Sequence, residues 1–310
     1  MKYIAPAYYR DFNCIASACR HSCCIGWEVD IDADTLARYD SMTASYGERI
    51  RESVDYSGEP HFRLTDGDRC PHLSERGLCN IITQCGEDML CQICSDHPRY
   101  RNFYDGVTEI GLGLSCEEAT RLALEAEKPH GFLISDSEDV SAAEYREDFP
   151  TELFSNSERF VAEEKSRLIS IAASRALSIE QRLSQLLPKM PSTEEIKELL
   201  MSLEILDENW RQCVEAISAE CFDLDFTKYR KYIERTLVAF IFRHVSCESF
   251  YSPFVIAAFA ALSAIVVAAL STSADSFADT LRAYSAEVEY STDNTERMLD
   301  FIEEKYPELI

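Results

Sequence analysis

A chain of 310 residues, 46% of them hydrophobic, has length enough for two domains around a buried core, and this excludes wholesale disorder. Its 55 acidic side chains against 30 basic ones give a formal charge of -25. Nucleic-acid phosphates and anionic lipid cannot release counterions to such a surface, so neither is an expected partner, whereas a lysine-bearing protein is attracted at low salt.

The N-terminus, MKYIAPAYYRDFNC, has no apolar run of signal-peptide kind, so the expected location is the cytoplasm. Thiols stay reduced there, and clustered cysteines then point to metal or redox chemistry rather than a disulfide framework. Tyr3 to Phe12 reads as an extended lead-in. Ten of the thirteen cysteines follow by residue 116: Cys14, Cys19, Cys23, Cys24, Cys70, Cys79, Cys85, Cys91, Cys94 and Cys116. Their C-x4-C-x3-C-C and C-x2-C spacings offer the thiolates that zinc or an iron–sulfur cluster needs. The spacing of Cys19 and Cys23 predicts one helical face, closed by Gly26. Alternation over Glu28 to Asp32 predicts a short strand, with Asp30 and Asp32 either a carboxylate pair at a site or a solvated edge. A helix is expected over Asp34 to Tyr46 with Asp34 as its N-cap.

From Gly58 to Gly77 the chain is polar and turn-rich, leading into a loop with Cys70 and Cys79 at its ends. Ile81 to Arg99 reads as one short helix carrying Cys91 and Cys94, broken before Pro98. His21, His72 and His97 stand beside cysteines as candidates to complete a zinc site, or as supporting groups. Gly111-x-Gly113 lacks the third glycine and the strand-to-helix setting of a nucleotide-binding turn, and reads as a tight backbone position. A helix follows over Glu117 to Glu127. Residues 135–152 hold seven acids against one base and read as an acidic linker.

Beyond it the pattern is helical. Ser192 and Glu195 form a capping box ahead of Ile196, Leu199, Leu200 and Leu203. Tyr229, Tyr232, Ile233, Leu237, Phe240, Ile241 and His244 make a second apolar stripe. The uncharged stretch Phe254 to Ala274, with Pro253 in its first turn, reads as a buried core helix rather than a membrane span. Cys213, Cys221 and Cys247 lie singly in helical sequence and are expected in the core. The resulting expectation is a mainly α protein: an irregular cysteine-rich, metal-binding domain over 1–134, the linker over 135–152, and a helical domain over 153–310. No P-loop, H-E-x-x-H or G-x-S-x-G occurs. Cys19-x3-Cys23-Cys24 departs from the C-x3-C-x2-C of radical enzymes that use S-adenosylmethionine.

These motifs resemble those of the flagellin lysine N-methylases, within a wider cysteine-cluster group of zinc or iron chelators. The likeness is carried by C-x4-C-x3-CC-x2-W from Cys14, CPHLSERGLCNI from Cys70, GED-x2-C-x2-C-x3-PR from Gly86 and LSCEEA from Leu114. It continues through RALSIEQRL from Arg175 and KYRKYIERTLVAFIFRH from Lys228. The resemblance implies a cytoplasmic enzyme that moves methyl groups from S-adenosylmethionine to flagellin lysines and carries a cysteine-bound 4Fe-4S cluster. By position, the ligands would come from Cys19, Cys23, Cys24, Cys70, Cys79, Cys94 and Cys116, with Cys14 and Cys91 as further candidates. Cys85 departs from the family pattern, and His72 stands where an aromatic residue is expected. An open iron site chelating the amino and carboxylate ends of S-adenosylmethionine would stand in for the missing glycine-rich turn. The alternatives are a non-enzymatic zinc or iron–sulfur module that docks a partner, and a redox protein that uses the cluster for electron transfer.

Overall fold

A computed structural model describes residues 1–43, 45–273 and 276–310. Ala44, within the first expected helix, and Ala274, at the end of the long uncharged stretch, lie outside the described residues. In chain order the strands are β1 (Lys2–Pro6), β2 (Val54–Asp55), β3 (His61–Phe62), β4 (Arg99–Tyr104), β5 (Val107–Leu112), β6 (Phe132–Ser135) and β7 (Glu144–Arg146). The first helices are α1 (Ala33–Ser41), α2 (Ser45–Glu52), α3 (Asn80–Cys85), α4 (Gln92–Asp96) and α5 (Glu117–Glu125). Then come α6 (Arg159–Ala173), α7 (Ile179–Leu186), α8 (Thr193–Ser202), α9 (Glu208–Glu215), α10 (Phe226–His244), α11 (Pro253–Leu270), α12 (Phe277–Tyr284) and α13 (Thr292–Lys305). The chain is mainly α, as its sequence predicts, but with a mixed sheet.

Two compact units form, one of residues 1–12 with 99–310 and the other of residues 13–98. The larger carries a five-stranded sheet in the order β4-β5-β1-β6-β7, in which β1 runs parallel to β5 and antiparallel to β6. The expected lead-in is thus the central strand. Ile4 and Ala5 are buried there, and the short aromatic run Tyr8–Tyr9 packs behind it. The units divide at 12/13 and 98/99 rather than at residues 135–152. That acidic stretch holds strand β7, and Val140 and Phe149 anchor it in the core. Several of its acids are paired, Glu138 with Arg101 and Glu152 with Arg146, so its charge does not make it a free tether.

Helices α10 and α11 form the centre. Ser252 caps α11 through the Val255 N–H, Pro253 takes the first turn, and Val255 to Ala268 are all buried. This is the one helix among the described residues long and apolar enough to cross a membrane, and 78% of it is buried within the protein. Around it pack α7, α10, α12 and α13. The α8 capping box forms through Ser192 and Glu195, and Ile196, Leu199, Leu200 and Leu203 are buried as their spacing predicts. A second capping box, Ser178 with Gln181, starts α7.

Cys213 and Cys247 are exposed and Cys221 is half-buried, which corrects their expected place in the core. Each lies on a helix end or connection, where larger apolar neighbours take the interior: Trp210 and Val214 flank Cys213 and are buried.

The smaller unit has short elements around Val29, Ile31, Tyr39, Ile50, Val54, Phe62 and Ile81, with Cys70 and Cys91 in the same cluster. Val29 and Ile31 point inward while Glu28 and Asp30 point out, so the predicted alternation holds. The backbone there pairs with residues 60–62 only through Ile31 N–H to Pro60 and Phe62 N–H to Val29.

Candidate metal centre and a buried polar corner

The smaller unit places its first four cysteines and Cys70 on turns and loops, and the others within or at the start of two short helices. Residues 19–23 are not helical. Cys19 is extended, its thiol donating to the His21 carbonyl at 3.2 Å, which corrects the expected shared helical face. Gly26, at φ 92°, turns the chain instead so that the Cys24 carbonyl accepts the Cys70 N–H at 2.8 Å. The single helix expected over 81–99 is two, broken at Gly86, whose φ of 96° a side chain would resist. Cys79 and Cys91 then stand at the N-cap positions of α3 and α4. Asp32, not Asp34, caps α1: one carboxylate oxygen accepts the Thr35 N–H at 2.9 Å and the other the Gln92 N–H at 2.8 Å. It therefore ties α1 to the start of the helix that carries Cys94. Asp30 and Asp32 also line an open cleft of about 480 Å³ with Glu59 and Asp96, and the Asp32 charge reaches the Cys91 thiol.

Cys24, Cys70, Cys79, Cys91 and Cys94 come close enough to perturb one another's charge. The Cys91 and Cys94 sulfurs share a hydrogen bond at 3.4 Å. That bond favours the Cys91 thiolate, and the same bond together with burial pushes Cys94 up. Cys23 lowers Cys24 to about 7 by hydrogen bonding, against burial, while burial raises Cys70 to about 12. Cys14 is exposed on the preceding loop, its sulfur accepting the Ala16 N–H. Cys116 belongs to the larger unit, at the N-cap of α5. Among the described residues no three His, Cys, Asp or Glu side chains are arranged to hold one metal ion. The donor chemistry suits a soft metal; the sulfur placement in this arrangement does not close a site around one.

His72 is not a ligand in this arrangement. Its ring is buried, with the Tyr46 hydroxyl 2.9 Å from Nδ1 and Ser53 Oγ 2.9 Å from Nε2. Ser53 gives its own proton to the Ile50 carbonyl, so it accepts from Nε2–H, and Nδ1 accepts from Tyr46. Burial, with the Arg49 charge, lowers the imidazole to about 4. His97 lies against Trp27, ring centroids 6.1 Å apart.

The larger unit holds a constellation that the sequence reading missed. Strand β5 runs into α5 through Gly111-Leu-Gly113-Leu-Ser115-Cys116, so the strand-to-helix setting denied to these glycines is present, although the third glycine is still absent. A Cβ at Gly111 would run into the Tyr100 ring, as a tight backbone position implies. At this end of the sheet lie Arg243 and His244, which close α10, and Glu289, which closes a π-helical turn over Ser285–Glu289. Such turns insert one residue and recur at functional positions. Glu289 is buried. It accepts from His244 Nε2 at 2.8 Å and Ser285 Oγ at 2.5 Å, with Arg243 Nη1 at 3.4 Å. Burial opposes its ionisation, but Arg243, His244 and Ser285 together hold its carboxyl below the ordinary range. The Arg243 guanidinium lies 5.0 Å from the Tyr100 ring and 5.7 Å from that of Tyr290, which sits against Ser115 and Cys116. The readable signal was His244 at the end of an apolar stripe, but Glu289 lies 45 residues further on and no spacing rule links the two.

Deeper still, Lys165 donates to both Glu109 oxygens, at 2.6 and 2.5 Å, and to the Phe242 carbonyl. Both side chains are almost wholly inaccessible, and Tyr104 and Asn102 complete the carboxylate's hydrogen bonds.

No family model matches the chain, and no solved structure is significantly similar to it. Over 123 residues, 37% of its length, it is 30% identical to the lysine-N-methylases of Salmonella choleraesuis and Salmonella typhimurium. The match covers 30% of each of those proteins, so the chain corresponds to under a third of their length. Over the same extent it is 29% identical to the flagellar biosynthetic protein FliU of Salmonella muenchen, of which 72% is covered.

Proposed function

We infer that this chain is a protein-lysine N-methyltransferase that transfers methyl groups from S-adenosylmethionine to lysine side chains of flagellin in the cytoplasm. The observation that carries the reading is the 123-residue similarity to two proteins named lysine-N-methylase. The flagellar name of the third relative favours flagellin as the acceptor, and the excess of acidic side chains suits a lysine-bearing substrate.

The chemistry sets one requirement on the protein. A lysine ammonium has a reference pKa of about 10.4 and must lose its proton before its nitrogen can attack a methyl group. Burial of the ammonium, a neighbouring positive charge and a proton acceptor all serve that end.

The iron–sulfur part of the reading rests on donor chemistry. Nine thiols lie in one compact unit, and five of them, Cys24, Cys70, Cys79, Cys91 and Cys94, interact electrostatically. A 4Fe-4S cluster there would supply an open iron to hold the amino and carboxylate ends of the methyl donor. Because the sulfurs do not close around one ion as placed, no step of the transfer is assigned to it.

The test is purification without oxygen, followed by an ultraviolet–visible spectrum and iron, sulfide and zinc analysis. The protein is then incubated with S-adenosylmethionine and flagellin, and lysines are read by mass spectrometry. Brown protein with equal iron and sulfide that methylates flagellin supports the whole reading. Colourless zinc protein that leaves flagellin unmodified supports the second reading, a non-enzymatic binding module, which the lack of a three-glycine nucleotide turn favours.

A further inference from the structure

We propose that His244, held by Glu289, is the proton acceptor that makes the substrate amine nucleophilic, an assignment that rests on the methyl-transfer reading above. The geometry is that of an oriented base. Glu289 is a carboxylate whose side chain is 0% exposed, and it accepts from Nε2, so the imidazole proton sits on Nε2 and the lone pair on Nδ1. Nδ1 has no partner among the described residues, and the ring retains 15% exposure. A buried acid that fixes the tautomer while the opposite nitrogen stays open is the arrangement by which an Asp or Glu prepares a histidine to take a proton. Ser285 Oγ, on the far side of the π-helical turn, fixes the second carboxylate oxygen, so Glu289 cannot swing away.

The charged groups around the ring favour its neutral form. Burial lowers the imidazole's affinity for a proton, Glu289 opposes that, and Arg243 and Lys165 add to it. Tyr8, packed near Glu289, and Tyr100 are also raised by burial and stay neutral. His244 is therefore unprotonated near neutral pH. Arg243, between the Tyr100 and Tyr290 rings, sets a positive charge beside the imidazole, and such a charge would lower the pKa of an ammonium brought against Nδ1. The step balances: the ammonium N–H bond breaks, its proton goes to Nδ1 and its electron pair stays on nitrogen. That pair then forms the bond to the methyl carbon of the sulfonium donor, and the carbon–sulfur pair leaves with the neutral thioether.

The experiment follows methyl transfer from S-adenosylmethionine to flagellin from about pH 5 to about pH 9 for the wild type, His244→Gln, His244→Ala with added imidazole, and Glu289→Gln, each checked for folding by circular dichroism. The expected result is a fall in kcat of about 100-fold or more for His244→Gln, with loss of the acidic limb of its pH profile. Imidazole should partly restore His244→Ala, and Glu289→Gln should give a smaller loss with the limb displaced. A folded His244→Gln enzyme with wild-type rate and profile overturns the assignment of His244 alone. Wild-type protein that transfers no methyl group to flagellin overturns the methyltransferase reading and this assignment with it. If His244→Gln does not fold, imidazole rescue of His244→Ala decides: rescue supports the assignment, and a folded His244→Ala without rescue overturns it.

Discussion

Residues 99–310 bury a helix of eighteen residues whose interior is almost wholly alanine, valine, isoleucine, leucine and phenylalanine, while residues 13–98 gather seven large apolar side chains and two cysteines. Each buried large aliphatic or aromatic side chain contributes about 1.5–3 kcal/mol, so the larger unit holds itself by area. The smaller one has fewer than 90 residues, short helices and many turns, a size at which a core alone rarely suffices and metals or cross-links are common. The contrast assigns the thiols a mechanical role beside any chemical one: if they bind metal, much of the stability of residues 13–98 is metal-binding free energy.

The largest expected effect breaks the comparison directly. If the thiols bind metal, its removal by chelation under reducing conditions, or replacement of Cys91 and Cys94 together by serine, should cost the smaller unit several kcal/mol or more. Limited proteolysis should then cut within residues 13–98 while the helices of the larger unit stay protected. Equal protection of both regions before and after chelation would remove the metal-stapling argument.

Next in size is Lys165→Met, which strands the Glu109 carboxylate in the core. Loss of one partner from such a pair costs about 3–5 kcal/mol, whereas the double variant Glu109→Gln, Lys165→Met should come close to wild type. Thermal melts of the single and double variants check this. A pair that supplies position rather than stability fits a unit whose apolar area already suffices.

A smaller effect follows from His244. Its folded-state pKa lies below the ordinary value of about 6.5, so the unfolded chain binds more protons as pH falls through and below that value. The larger unit should lose stability on acidification from pH 7, at a slope of at most about 1.4 kcal/mol per pH unit from this group. His244→Gln should flatten that slope in calorimetric scans between pH 7.5 and 5.5.

What the sequence disclosed divides along the same line. Capping boxes, the α10 stripe and the all-apolar α11 were legible because each is a local pattern that its own packing satisfies. The five-stranded sheet was not, since β1 pairs with β5 and β6 from more than 100 residues away and its sequence, Lys-Tyr-Ile-Ala-Pro, has no clean alternation. The cysteines were legible as a group but not as a geometry. Short spacings suggested two helices: the first is absent, with a turn at Gly26 in its place, and Gly86 splits the second into α3 and α4. Cys116 counted with the rest by sequence distance, yet it caps a helix of the larger unit. The His244–Glu289 contact was illegible for the same reason as the sheet.

The smallest predicted effect sharpens the comparison at single hydrogen bonds. Ser192→Ala removes one cap from α8 in the larger unit and should cost about 1 kcal/mol, the usual worth of such a cap. Asp32→Ala removes a cap of the same kind from α1, but also the acceptor of the Gln92 N–H, and so frees the start of the helix that carries Cys94. Its cost should approach about 2 kcal/mol, at the upper end of the range for caps. Hydrogen bonds from both helix starts hold the Asp32 carboxyl below its ordinary range against burial, so its contribution is present above about pH 4 and fades as pH falls through the folded value. Asp32→Asn keeps an acceptor without the charge and should fall between wild type and Asp32→Ala. In hydrogen exchange, Asp32→Ala should loosen the amides of both α1 and α4; loosening of α1 alone would mean that the cysteine helix is held by its thiols and not by this carboxylate.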